Sequence, residues 1–241
     1  MRVHFVVHES FEAPGAYETW VRRHGFDATY SRVYELEPLP QSVADIDLLV
    51  ILGGPQSPST TPSECPHFDA SAEKALISQC VEAQKMVVGV CLGAQLIGEA
   101  LGAECEHSPE KEIGKFPIFL TEDGARNEKF SGFGGTIEVG HWHSDMPGLT
   151  PDAKVIAYSD GCPRQIIEYT ELVYGFQCHM EFTEEVIERL IEAETELPNL
   201  ALHRFVQQSD VLRQHDFCDM NLKLFGFLDK LVQDYRQQKK N

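Results

Sequence analysis

The sequence predicts an α/β protein: a mostly parallel sheet covered on both faces, followed by a C-terminal helical appendage. Three observations carry this expectation. Residues 46–52 (IDLLVIL) and 86–90 (MVVGV) are continuous apolar runs, as strands buried on both faces should be. Segments of helical periodicity lie between such runs, so strand and helix alternate through the N-terminal half. The chain has 241 residues, 42% of them hydrophobic and 24% charged. That suits one large domain, which buries about 70% of its unfolded surface without a disulfide or metal staple.

In order, residues 2–7 (RVHFVV) read as a first strand. Tyr17, Trp20, Val21 and His24 then recur at the spacing of one helix face. The strand at 46–52 stops at Gly53-Gly54-Pro55, and residues 56–67, rich in Pro, Ser and Thr, read as an irregular loop. A helix with Ala72, Ala75, Leu76 and Cys80 inward precedes the strand at 86–90. Leu96, Ile97, Ala100 and Leu101 mark a short helix ending near Gly102. Shorter strands follow at about 113–120, 136–141, 153–158, 164–169 and 172–178. Thr183 caps a helix whose first turn carries Glu184 and Glu185, placed well for the helix dipole. From about 200 the tail is helical, with a stripe of Leu224, Phe227, Leu228, Leu231, Val232 and Tyr235 that suits the sheet's edge or another subunit. Residues 236–241 are expected to fray.

Charge excludes whole classes of function. The 38 Asp and Glu against 20 Lys and Arg give a formal net charge of −18, a field that repels phosphate backbones and anionic membranes. Neither a nucleic-acid nor a membrane partner is expected. No run reaches the ~18 apolar residues of a span, and the N-terminus lacks a secretory apolar core. Seven Cys (65, 80, 91, 105, 162, 178, 218) form an odd set without CxxC spacing. They point to a reducing compartment, and the expected location is cytoplasmic.

The sharpest chemical signal is 87–95, VVGVCLGAQ, in which a buried strand runs through Gly-x-Cys-x-Gly into a helix. This is the pattern of a nucleophile elbow, a strained turn that holds one side chain out over the sheet edge. Gly89 and Gly93 flank Cys91 where strand and helix cross, and the helix N-terminus beneath favours a thiolate. A Cys beside two glycines can be mere packing, but the strand–turn–helix context argues for a nucleophile. Late in the chain, His179 and Glu181 sit at i and i+2, on one side of a strand. Glu181 can then hold one ring nitrogen of His179 while the other faces Cys91, a Cys-His-acid triad, with Cys178 and Met180 turned into packing. Gly54 ends the neighbouring strand, and its N–H with that of Leu92 forms a candidate oxyanion hole. His141 and His143 share a strand face at a spacing a metal can use. With no third ligand nearby in sequence, the segment 140–145 (GHWHSD) reads instead as pocket lining, and neither metal nor cofactor is expected.

GVCLGAQ, the upstream GGP and the late H-x-E resemble the class I (Cys-His-Glu) glutamine amidotransferases. The spans FEAPGA, HSPEKEIGKFPI, EVGHWHSD and RFVQQ are similar to a stand-alone branch whose glutaminase domain resembles that of GMP synthetase. The resemblance implies a three-layer, flavodoxin-like fold over 1–195, with a helical extension over 196–241 packed on the same domain. It implies attack of Cys91 on the γ-carbonyl of glutamine, with Gly53, Gln95, His143, Ser144 and Asp145 holding the substrate. The family commonly carries a Phe-His-Pro-Glu type run, where this chain has Cys178-His179-Met180-Glu181.

Three functions fit these residues. If ammonia leaves, the protein is a glutaminase; no GxxxxGK[ST] nucleotide-binding module is present, so the acceptor would be a separate protein, or absent. If a peptide amine leaves, it is a γ-glutamyl peptidase. The third is a catalytically silent scaffold, disfavoured because a scaffold has no need of Cys91, His179 and Glu181 together. Related Cys-elbow proteases and chaperones usually take their acid from another strand. The sequence leaves oligomeric state open.

Overall fold

The computed structural model describes residues 1–240. The first half follows the alternation read from sequence: β1 (Arg2–Val7), α1 (Ala16–His24), β2 (Asp27–Arg32), β3 (Leu48–Ile51), α2 (Ala70–Glu82), β4 (Met86–Val90) and α3 (Leu92–Ala100). The second half contains β5 (Glu106–Leu120), the short α4 (Glu122–Arg126), β6 (Thr136–Met146), β7 (Lys154–Tyr158), β8 (Ile166–Thr170), β9 (Val173–Phe176) and α5 (Glu184–Ala193). The tail adds β10 (Phe205–Val206), the short α6 (Ser209–Leu212) and the long α7 (Cys218–Gln238).

All ten strands join one sheet in the order β10-β5-β7-β8-β9-β4-β3-β1-β2, with β6 hydrogen-bonded to β5. The half formed by β2, β1, β3, β4 and β9 is wholly parallel, and β5 through β9 are linked by antiparallel pairings. Alternation along the central strands feeds two cores. Val3, Phe5, Leu48, Val50, Met86 and Val88 pack with Tyr17 and Trp20 of α1 and the buried stripe of α7. Val6, Leu49, Ile51 and Val87 pack on the other face with Leu76 and Ile77 of α2 and Leu92 and Leu96 of α3. The result is three layers, helix–sheet–helix.

Several local expectations are corrected. β2 (DATYSR) carries few apolar residues because it is an edge strand with its first residues exposed, and it was not foreseen. β5 begins seven residues before the expected 113, because its polar first half pairs with β6 across an irregularity between His107 and Glu112. The stripe of α7 covers a sheet face rather than an edge, with Phe227 between Phe130, Tyr174 and Phe176. The edge is closed instead by β10, parallel to β5, and by Gln207, whose amide makes hydrogen bonds to both backbone groups of Lys115. The helix also continues through 236–238, where fraying was expected; Asn241 lies outside the described residues.

Candidate active site

The elbow forms because two glycines let the helix cross the strand ends. Cys91 sits between β4 and α3 with φ +51°, a left-handed conformation that side chains rarely adopt. Its N–H donates to the Phe176 carbonyl of β9 at 2.7 Å, which fixes the turn. A Cβ on Gly89 would stand 2.3 Å from the Gly93 carbonyl oxygen, and one on Gly93 would stand 2.1 Å from that of Ile51. Only glycine fits at either place. Cys91 thus reaches the surface of a cavity of about 290 Å³ at the C-terminal ends of the parallel strands, the usual ligand edge of such sheets. Its sulfur rests 3.7 Å from the Trp142 carbonyl.

His179 is not on a regular strand, since β9 ends at Phe176. The same-side relation of residues 179 and 181 nevertheless survives, because His179 and Gly140 exchange both backbone hydrogen bonds, at 2.8 and 2.9 Å. His179 Nδ1 lies 2.6 Å from Glu181 Oε1. Phe182 stacks on the imidazole at 4.4 Å, in space that a side chain at Gly140 would fill. The ring is therefore clamped on an edge and a face. Nε2 has no hydrogen-bond partner, and Cys91 is the polar neighbour that acts on it. Burial opposes the charged ring, but the Glu181 carboxylate and then Cys91 outweigh it, holding the imidazole well above its usual range. Cys178 and Met180 are buried in the core, as the alternation required.

Gly54 lines the cavity, and the Leu92 side chain lies close to it. Among the described residues, neither the N–H of Gly54 nor that of Leu92 donates a hydrogen bond, and Leu92 opens α3, where the helix dipole adds positive potential. The hairpin of β5 and β6 supplies Lys111, Trp142, His143, Ser144 and Asp145 to one wall of the cavity, while the loops after β1 and β3 supply Phe11, Glu12, Gly54 and Gln56 to another. Gln95 also lines it, its amide donating to Gln177 Oε1 at 3.1 Å. Gly53 borders the space between Glu12 and Cys91. Its carbonyl accepts a hydrogen bond from His8, whose other ring nitrogen meets Glu73 at 2.9 Å in a buried pair.

Glu112, absent from the sequence reading, supplies the third donor that His141 and His143 lacked. The three ligand atoms lie within 4.8 Å of one another, a set that could hold a metal. The carboxylate is also engaged by Ser159 at 2.8 Å and Gln165 at 2.6 Å, so the same atoms work as a hydrogen-bond network behind His143. Burial pushes the Glu112 carboxyl up, but the bond from His143 and the other neighbours hold it below its ordinary value. Two further residues at the site carry no local sequence signal. Glu12, within the FEAPGA span, is buried at the cavity wall. Asn221 of α7 donates to the carbonyls of Met180 and Phe182, on the segment that carries the imidazole.

Fold and site together define an α/β protein with a cysteine elbow open to a polar cavity at the sheet's ligand edge. The family model for class-I glutamine amidotransferases matches residues 16–194, and the chain belongs to that family. It is 54% identical over 239 residues to the glutamine amidotransferase-like protein YfeJ of Salmonella typhimurium, spanning 99% of this chain and 100% of YfeJ. Anthranilate synthase component 2 of Helicobacter pylori J99 is 32% identical over 65% of this chain and 84% of its own. The crystal structure of SMU.1228c superposes with a TM-score of 0.95 at 48% identity, covering 96% of this chain and all of that one. A glutamine amidotransferase from Thermotoga maritima, at 24% identity over 96% of this chain and 98% of that one, shares the fold with a TM-score of 0.85. Among the described residues no helix is long and apolar enough to cross a membrane.

Proposed function

We propose that this protein hydrolyses γ-glutamyl amides through a thioester on Cys91, with glutamine as the simplest substrate. The observation that carries the reading is the strained Cys91 at the cavity floor, with the buried, Glu181-held imidazole of His179 beside it. The Cys91 sulfur, as thiolate, attacks the γ-carbonyl carbon. The carbonyl electron pair moves to oxygen, where the N–H groups of Gly54 and Leu92 stabilise it. His179, carrying the proton, gives it to the departing nitrogen as the C–N bond breaks, leaving the thioester. The neutral ring then takes a proton from water, whose oxygen attacks the same carbon; the C–S bond breaks and glutamate departs. Gln95 and the 143–145 segment would hold the amino-acid end of the substrate.

Purified protein given glutamine should release ammonia and glutamate in equal amounts. Cys91→Ser and His179→Ala should each lower that rate at least a thousandfold while keeping the native circular dichroism spectrum. Undiminished turnover by Cys91→Ser would refute the assignment. The relatives' partnership in multi-subunit synthases extends the reading: ammonia made here would pass to a separate acceptor protein, and co-purification under low salt would find it.

A further inference from the structure

Glu12 stands in the cavity wall without a partner from the protein. It is 8% exposed, and its carboxyl has no hydrogen bond or ion pair among the described residues, while Gln56 and His67 pair with the neighbouring Glu9. A methyl group placed on Gly53 would lie 2.6 Å from Glu12 Oε2 and 3.4 Å from the Cys91 Cβ, so the carboxyl and the nucleophile's side chain share one small space. His179, Glu181, His8 and Glu9 are the ionisable groups that act on it.

Its place relative to the triad decides what it would meet. In the reading above, the amino-acid end of a γ-glutamyl substrate lies against Gln95 and the β5–β6 hairpin, where Lys111 supplies a cation. Glu12 comes from the loop after β1, a separate element from that hairpin. Glu12 shares its space with the side chain of Cys91, and among the charged groups that act on it is His179, the ring that hands a proton to the departing nitrogen. Glu12 therefore borders the space the leaving group occupies.

We infer that Glu12 selects the leaving group, admitting ammonia and uncharged or cationic amines and rejecting amines that carry a carboxylate next to the departing nitrogen. This inference rests on the hydrolase reading above and decides between its glutaminase and peptidase forms. A γ-glutamyl amino acid would bring a second carboxylate against a buried, unpaired one, with Glu181 close behind. Burial, and then Glu181, already push the Glu12 carboxyl up against the pull of His179, so the surroundings resist further negative charge. An N–H group or an ammonium offers the unpaired carboxyl the partner it lacks.

The test uses a matched pair of equal size: γ-glutamylglycine and γ-glutamylglycinamide, which differ in the leaving group's carboxylate. With the full-length wild-type protein, kcat/KM should be at least tenfold higher for the glycinamide, and glutamine should be cleaved as well. Glu12→Gln should shrink that ratio at least fivefold, whatever it does to the absolute rate. Glu12→Asp, which keeps the charge, should retain the preference and guards against a folding defect in the first variant. Equal turnover of the pair by wild type, or a ratio unchanged in Glu12→Gln, overturns the inference while leaving the hydrolase reading intact. Faster cleavage of γ-glutamylglycine would identify a peptidase instead. If neither glutamine nor either amide is cleaved, and no thioester is trapped on Cys91, the hydrolase reading fails and this inference falls with it.

Discussion

The side-chain amide of Asn221 donates a hydrogen bond to the backbone carbonyl of Met180 at 2.7 Å, tying the C-terminal helix to the segment that carries the His179 imidazole. The same amide reaches the Phe182 carbonyl at 3.1 Å, and Phe182 is the ring stacked on His179. The tail thus fixes one side of the site, while the Ala16 N–H donating to the Glu181 carbonyl at 2.9 Å fixes another. Asn221→Ala removes two donors to that segment and should cost about 1–3 kcal/mol of stability. Catalysis should suffer more than binding, with kcat for glutamine falling about tenfold and KM changing little, since the imidazole and not the substrate wall is released. Steady-state kinetics beside urea unfolding check this; a pure KM effect would count against it.

The elbow makes a steric prediction. Gly93→Ala would put a methyl carbon 2.1 Å from the Ile51 carbonyl oxygen, a contact that neither the strand nor α3 can relieve without moving. A loss of about 3 kcal/mol or more is expected, which lowers Tm by roughly 6–12 °C in a chain this size. Gly132→Ala is the control, because nothing lies within 4 Å of its added carbon and its φ is ordinary. Scanning calorimetry of the two variants should separate them cleanly. Equal melting temperatures would mean that the crossing of α3 over β3 is looser than described.

Much of this site was legible in the sequence because its chemistry is written locally. Gly89, Cys91 and Gly93 declare the elbow within five residues, and His179 with Glu181 declare their shared side within three. What escaped was carried by pairings between distant segments. Glu112 joins His143 only because β5 and β6 set them opposite each other, and one carboxylate amid many on an acidic chain gives no signal. Glu12 reads as a loop residue until Gly53 and Cys91 arrive beside it. Asn221 continues the stripe of Leu224 and Leu228 one turn earlier, but as a half-buried polar residue it adds nothing to the apolar spacing that announces the helix. In the fold, the central strands β3 and β4 stood out because burial on both faces demands continuous apolar runs. β2 and β10, at the two edges, had no such demand on them.

Glu181 should control the ionisation of His179 and hence the alkaline side of the pH profile. Burial alone would depress the imidazole; the Glu181 carboxylate and Cys91 reverse that. A histidine whose proton affinity is raised by folding stabilises the protein fully below its ordinary value of 6.5 and loses that contribution as pH rises through the folded value. Glu181→Gln leaves burial without its main opponent. The alkaline limb of kcat/KM should then move to lower pH by about one unit or more, and kcat should fall about a hundredfold. The variant's stability at pH 6 should drop more than its stability at pH 9. An alkaline limb that stays in place would show that another group governs it.

His141 predicts the opposite dependence on the acid side. It is fully buried, and burial lowers it to about 3; Glu112 opposes this, and His143 and His179 are the other ionisable groups that act on it. Nε2 lies 3.3 Å from the Phe116 carbonyl, which can only accept, so the neutral ring carries its hydrogen there. In the unfolded chain the same side chain takes up a proton near 6.5. Its contribution to stability is therefore complete above about pH 6.5 and is lost progressively as pH falls toward 3. His141→Gln cannot titrate, so the difference in unfolding free energy between pH 7 and pH 4.5 should shrink by about 2 kcal/mol. The slope is the quantity to read, because the substitution also changes packing in the Glu112 network and shifts stability at every pH. Urea unfolding at the two pH values, with His4→Gln as a second buried-histidine comparison also depressed by burial, to about 4, gives that slope directly. An unaltered slope in His141→Gln would place the ring's proton on the folded protein and overturn its assignment as a neutral core histidine.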